Sequence, residues 1–222
     1  MKSNLQNRIN QARHFTIIGP CPFSVNKLKR ELLKLSDQSA IVLIYVDGGL
    51  RYRSHIAKIF PDQLPFSFSI GDNDSSIEVL DVLKKDQEIS DLCFLLEWMA
   101  VLKPRILTMS LWGFLGTTSR YDHLLSNLGE LYRFSISPNA KNVLINMEHK
   151  VYFLQEGKHL FSNKMSFSLM AIDPVKITIK GECVYPFKGV LKPLSSRGLS
   201  NQGLGEFEIS TSGPIIYFQN KI

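Results

Sequence analysis

Asp72 and Asp74 stand one residue apart in "SIGDNDSS" (69–76), directly after the apolar run Phe66 to Ile70. Asp47 occupies the same kind of place, after Ile41 to Val46 and before Gly48-Gly49. A third acidic group lies in "KDQEISD" (85–91), where Asp86, Glu88 and Asp91 accompany Gln87 and Ser90 ahead of a helical pattern. Hard divalent cations such as Mg²⁺ take carboxylate oxygens plus substrate phosphate oxygens and keep several waters. Asp72, Asp74 and Asp91 gathered in one place make such a site, with Asp47 beside them. Each acid alone has a plainer reading. Asp at a turn bonds its own backbone, and Ser90 or Asp91 caps a helix and complements its dipole. As a set at successive strand ends, they favour metal and phosphate chemistry.

A cationic counterpart follows in "WGFLGTTSRYDHLLSN" (112–127). Gly113 and Gly116 open a loop, and Arg120-Tyr121-Asp122-His123 leads into a helix. A guanidinium fork holds phosphate oxygens bidentately, and a helix N-terminus favours anions. The plainer reading makes Asp122 a cap, Arg120 a surface charge and His123 a structural imidazole. No G-x-x-x-x-G-K-[ST] occurs, so this is not a P-loop.

The elements that must position these residues follow from the apolar pattern. Up to about residue 136, strands at 15–18, 41–46, 66–70 and 105–111 alternate with helices at 25–35, 89–102 and 122–134. Such alternation predicts an α/β, Rossmann-like region with a mainly parallel sheet covered on both faces. Ligands of open parallel sheets bind beyond the carboxyl ends of the strands, where these acids fall. After Ser137-Pro138-Asn139 the pattern changes to short strands at 142–146, 150–154, 166–172, 176–180, 206–211 and 214–219. That spacing predicts an all-β sandwich, so we expect two domains, 1–137 and 138–222.

Composition bounds the rest. The chain has 222 residues, 44% hydrophobic and 21% charged, the balance of an ordinary globular protein. Its net charge of +6 admits a polyanion, but Lys and Arg are scattered among acids, so no nucleic-acid partner is expected. No apolar stretch is long enough for a bilayer, and the N-terminus lacks an apolar signal core; we expect no membrane partner and a cytoplasmic protein. Cys21, Cys93 and Cys183 are far apart and are expected to be buried thiols.

In order and type these motifs resemble those of thiamine pyrophosphokinases, whose members look like Asp-Gly-Gly, Gly-Asp-x-Asp-Ser, Asp-Gln-Asp-x-Thr-Asp, Gly-Gly-Arg-x-Asp-His and a late Ser-Asn. Here stand Asp47-Gly48-Gly49, Gly71-Asp72-Asn73-Asp74-Ser75, Asp86-Gln87-Glu88-Ile89-Ser90-Asp91, Arg120-Tyr121-Asp122-His123 with Asn127, and Ser200-Asn201. The resemblance implies transfer of the pyrophosphoryl group of ATP to the hydroxyl of thiamine, releasing AMP. It implies Mg²⁺ on Asp72, Asp74 and Asp91 with Asp47 beside them, and Asp47 or Asp72 as base. Arg120 and Asp122 would hold the nucleotide, with Arg51 near its phosphates, and Gln87 would contact thiamine. It further implies a homodimer in which Ser200 and Asn201 close over thiamine from the other subunit.

Departures are also present. Gly-Gly-Arg is loosened to Gly116-Thr117-Thr118-Ser119-Arg120, Glu88 and Ser90 replace Asp and Thr, and Arg51 stands near a position that is often Asn. Two other readings therefore remain open. One is a pyrophosphokinase for another alcohol, such as a hydroxymethylpterin, with Gln87, Ser200, Trp112 or Tyr185 in the acceptor pocket. The other is a non-catalytic binder of thiamine or nucleotide.

Overall fold

Ile41 to Val46 is apolar throughout because both of its faces are covered, the signature of a central parallel strand. In the computed structural model, which describes residues 2–35, 37–60, 65–74, 79–85, 87–115 and 120–220, this strand is β2. It lies between β1 (His14–Ile18) and β3 (Phe66–Gly71), with β4 (Val82–Leu83) beyond β3. On the other side of β1 come β5 (Thr108–Trp112) and β6 (Leu144–Met147), all parallel. The order β6-β5-β1-β2-β3-β4 reverses direction between β1 and β5. A crevice opens at such a switch point, where successive connections leave on opposite sides.

Alternate side chains of these strands enter two cores. One face, with Phe15, Ile17, Ile44 and Leu111, packs under α4 (Asp91–Leu102) and α5 (Tyr121–Ser135), beside α1 (Lys2–Gln11). On α4, Leu92, Leu95, Leu96 and Met99 recur at helical spacing and are buried. The other face, with Ile18, Leu43, Tyr45 and Trp112, packs on α2 (Val25–Leu33) and α3 (Arg53–Ala57). The last parallel strand before α5 begins at Thr108 rather than Arg105, because Lys103 ends α4 in a left-handed turn and Pro104 follows.

The remaining strands are antiparallel: β7 (Val151–Leu154), β8 (Gly157–Asn163), β9 (Ser166–Met170), β10 (Val175–Cys183), β11 (Phe187–Leu191), β12 (Asn201–Thr211) and β13 (Ile215–Asn220). Residues of β9 and β13 share one core with residues of β10 and β12, and Phe161, Phe167, Phe207 and Tyr217 stack through it. Two features differ from the expected separate sandwich. The strand predicted at 142–146 joins the parallel set as β6, and β7 pairs antiparallel with both β6 and β13. Among the described residues the strands thus form one 13-stranded mixed sheet. β12 carries it between layers, pairing with β9 at Asn201 and Gln202 and with β8 from Gly205 onward. β8 escaped the sequence reading because its side chains alternate between partly covered and exposed, with none buried.

Among the described residues no helix is long and apolar enough to cross a membrane. The cysteines are free, but only Cys183 is buried; Cys21 and Cys93 are partly exposed. Burial and the neighbouring Glu130 push the Cys93 thiol up to about 12, so it is not a reactive thiolate.

Candidate active site

Three carboxylates come together at the carboxyl ends of β2 and β3 and the start of α4. One oxygen each from Asp47, Asp72 and Asp91 lies within 4.8 Å of the others. Asp47 follows β2 with φ 40°, a left-handed conformation that turns its carboxylate back over the strand end. Gly71 makes room for it: a Cβ there would come within 3.0 Å of the Asp47 Cβ. Asp72 follows Gly71 and accepts the Asp74 amide at 3.1 Å, so the acidic turn exists and half of the plain reading holds. Ser90 caps α4 by accepting the Cys93 amide at 3.1 Å, which leaves Asp91 as the first helical residue, free to face the cluster.

Lys84, just beyond β4, is the residue that sequence reasoning missed. Its ammonium is 3% exposed and lies 3.0 Å from Asp91 and 3.6 Å from Asp72. It also donates to the Ile89 carbonyl at 2.6 Å, while its amide bonds the Gly71 carbonyl at 2.7 Å. Nothing separates Lys84 from Lys85 in the sequence; only the pairing of the two-residue β4 with β3 brings it in.

The electrostatics of the cluster are uneven. Burial would raise the Asp72 carboxyl, but the Asp74 amide, the Gln87 side chain and the Lys84 charge outweigh it, and its pKa falls. At Asp91 burial wins: with Asp72 and Asp47 adding repulsion, its pKa rises despite Lys84. Burial lowers Lys84, but Asp91 and Asp72 reverse this, and it stays charged with its pKa raised. Asp47 Oδ1 is buried with no hydrogen-bond partner among the described residues. An orphaned anionic oxygen in a pocket of acids calls for a cation.

The cluster floors a cavity of about 750 Å³. Gln87, Asp74 and Arg120 line it, as do Pro20 and Gly113 from the loops after β1 and β5, which flank the switch point. Asp74 is exposed and stands outside the close trio, which includes Asp47. Arg120 is 61% exposed and bonds Asp122 at 3.0–3.3 Å and His123. This pairing holds the Asp122 carboxyl down at about 2. Asp122 is thus not the N-cap of α5 but its second residue, and it grips the N-cap Arg120.

Other expected residues sit elsewhere. Arg51 is exposed and lies over the Tyr52 ring, 5.1 Å from its centroid. Trp112 is buried on the opposite face of the sheet. Asn201 is buried and exchanges hydrogen bonds with the Tyr185 backbone, and the Ser200 amide donates to Ser168 Oγ at 3.0 Å. Neither lines the cavity in this chain. Ser75, Asp86 and the loosened loop 116–119 lie outside the described residues.

No protein-family model matches the chain, and no curated protein matches it in sequence. Its fold is that of solved thiamine pyrophosphokinases. The Bacillus subtilis protein matches with a TM-score of 0.69 at 20% identity over 95% of this chain and 100% of its own. The one from Candida albicans gives 0.72 at 13% identity over 96% and 90%. That from Geobacillus thermodenitrificans gives 0.67 at 19% over 94% and 98%. At such identities the likeness establishes the fold, and the chemistry must be argued from the residues.

Proposed function

We propose that this protein transfers the pyrophosphoryl group of ATP to the hydroxyl of thiamine, forming thiamine diphosphate and AMP. The observation that carries this reading is the close trio Asp47, Asp72 and Asp91, with an Asp47 oxygen unmet among the described residues, on a fold shared with thiamine pyrophosphokinases. Mg²⁺ fits the donor set, which is all oxygen. Three carboxylates against the one Lys84 ammonium leave two net negative charges, the charge of one divalent ion. Asp47, Asp72 and Asp91 would hold it, with Asp74 at the rim. When bound, it supplies neutralisation of the charge on the transferring phosphates.

The chain's own residues supply positioning. Asp122 holds the guanidinium at the cavity wall until the nucleotide arrives, and Arg120 then leaves it to grip phosphate oxygens. Gln87 contacts the acceptor. The alcohol oxygen bonds the β-phosphorus as its proton passes to Asp47 or Asp72. The bond from that phosphorus to the bridging oxygen on the α-phosphate breaks, and AMP leaves. No side chain need be a nucleophile, since alignment and charge stabilisation carry such transfers. In the working form a second copy of the chain brings Ser200 and Asn201 over the acceptor. Residues 1–137 then form the catalytic part and 138–222 the acceptor-binding and dimerising part, in the cytoplasm.

The test is incubation with ATP, Mg²⁺ and thiamine, following AMP and thiamine diphosphate. Product from a hydroxymethylpterin but not from thiamine replaces the acceptor and keeps the chemistry. Measurable nucleotide binding with no AMP from any acceptor overturns catalysis in favour of a binding protein. Light scattering that finds an active monomer removes the second copy.

A further inference from the structure

Glu148 is a buried carboxylate that the proposed chemistry does not use. It is 7% exposed, at the turn between β6 and β7, and its backbone is left-handed at φ 51°. One carboxylate oxygen accepts the amide of Gly113 at 3.2 Å within the interior. Its backbone amide donates to the Leu111 carbonyl at 2.8 Å, and its carbonyl accepts the Lys27 ammonium at 2.6 Å. Lys150 is the nearest ion-pair cation, 4.0 Å from the other oxygen. Three bonds thus fasten this residue to β5, to α2 and to the first residue after β5.

Gly113 is where the cavity wall begins. It has φ +76°, and a Cβ there would lie 2.6 Å from the Gly19 carbonyl and 2.7 Å from that of Cys21. Its carbonyl accepts the Cys21 amide at 2.9 Å, and the Gly19 amide bonds the Trp112 carbonyl at 2.7 Å. The loops after β1 and β5 are therefore clasped backbone to backbone across the switch point. Pro20, Cys21, Gly113 and Phe114 present that clasp to the cavity. Gly113 uses its carbonyl to close the clasp and its amide to bond Glu148. Without the carboxylate, that amide is a buried donor with no partner, a penalty that the glycine can relieve by turning.

We propose that Glu148 is a positioning residue for the nucleotide: by holding the Gly113 amide it sets the wall against which ATP lies. This rests on the reading that ATP occupies the cavity. Glu148 touches neither the acidic trio nor Arg120. Its loss therefore acts on nucleotide affinity and not on the chemical step.

The experiment compares Glu148→Ala, Glu148→Gln and Glu148→Asp with the parent protein, each checked for folding by circular dichroism. ATP affinity is read by calorimetry without acceptor, and KM and kcat with thiamine. We expect Glu148→Ala to weaken ATP binding and raise its KM about tenfold, with kcat within about twofold. Glu148→Gln keeps an acceptor oxygen and stays within about threefold of the parent. Glu148→Asp keeps the charge but withdraws it by one methylene, and it behaves like Ala; it also serves if Ala does not fold. Unchanged ATP affinity in Ala and Asp overturns the proposal, as does a Gln variant as impaired as Ala, or a loss confined to kcat. If the parent binds ATP but turns over no acceptor, the catalytic reading fails while the affinity ratios still decide the role of Glu148. A parent that binds no ATP overturns both.

Discussion

The two charged ends of the cavity are built on opposite plans. At one end Asp72, Asp91 and Lys84 are 7%, 20% and 3% exposed, and Asp47 keeps a buried oxygen without a partner among the described residues. At the other, Arg120 and Asp122 are 61% and 65% exposed and satisfy each other. The strand ends fix the first group, so its repulsion cannot relax and a ligand finds it already assembled. The second sits in water, where solvent screens such a pair, so a phosphate displaces Asp122 at little cost. One end is strained and ready; the other is at rest and recruited by the ligand.

The sharpest way to break that contrast is to remove a charge from each end. Asp47→Asn should lower turnover about a thousandfold, because both charge neutralisation and the base depend on the trio. It should also raise the melting temperature, since one of three crowded carboxylates is gone. Asp122→Asn should leave melting unchanged. Millimolar Mg²⁺ should raise the melting temperature of the parent by mass action but not that of Asp47→Asn. A lower melting temperature for Asp47→Asn would mean that the trio is structural. Asp74→Asn, at the exposed rim, should lose about a tenth as much turnover as Asp47→Asn, on the scale of a peripheral ligand; equal losses would return Asp74 to the inner set.

Lys84 tests the same plan from the cationic side. Lys84→Met leaves Asp72 and Asp91 buried without their counterion, which costs about 3–5 kcal/mol of stability. Mg²⁺ should recover part of that loss in a denaturant titration, since a divalent ion can take over the neutralisation. Full stability without Mg²⁺ would show that the ammonium is dispensable and that the trio is not strained.

The sequence carried these two ends unequally. Asp47, Asp72 and Asp91 were legible because each follows an apolar strand or opens a helix, and parallel sheets gather such positions at one edge. Lys84 was not, because its burial depends on β4, two residues long and without a pattern of its own. The close approach of Asp47 to Asp72 and Asp91 was equally hidden: it goes with a left-handed turn at Asp47 packed against Gly71. The parallel pairing of the first strands followed from alternation of elements. The fusion of the later strands to it did not, since β6 and β7 look alike in sequence, and pairing partners alone make one parallel and the other antiparallel.

Arg120→Ala should raise the KM for ATP roughly tenfold and change kcat less than twofold, as removal of a charge-assisted bond made in both ground and transition states does. Arg120→Lys should not restore it, because a point charge does not replace the fork. A fall in kcat alone would place Arg120 with the chemistry and erase the distinction between the ends.

The smallest effect is the pH dependence of that ratio. The bond from Arg120 holds the Asp122 carboxyl at about 2, below its usual 3.8. For a carboxyl depressed in this way, the pairing is fully present above 3.8 and is lost only as pH falls through about 2. Arg120 itself is shifted up by the same bond, so it stays charged across any working range. Both partners are therefore invariant from pH 5 to 9, and the ratio of KM values between Arg120→Ala and the parent should be flat over that interval. A ratio that drifts with a midpoint inside the interval would mean that another group titrates where ATP binds.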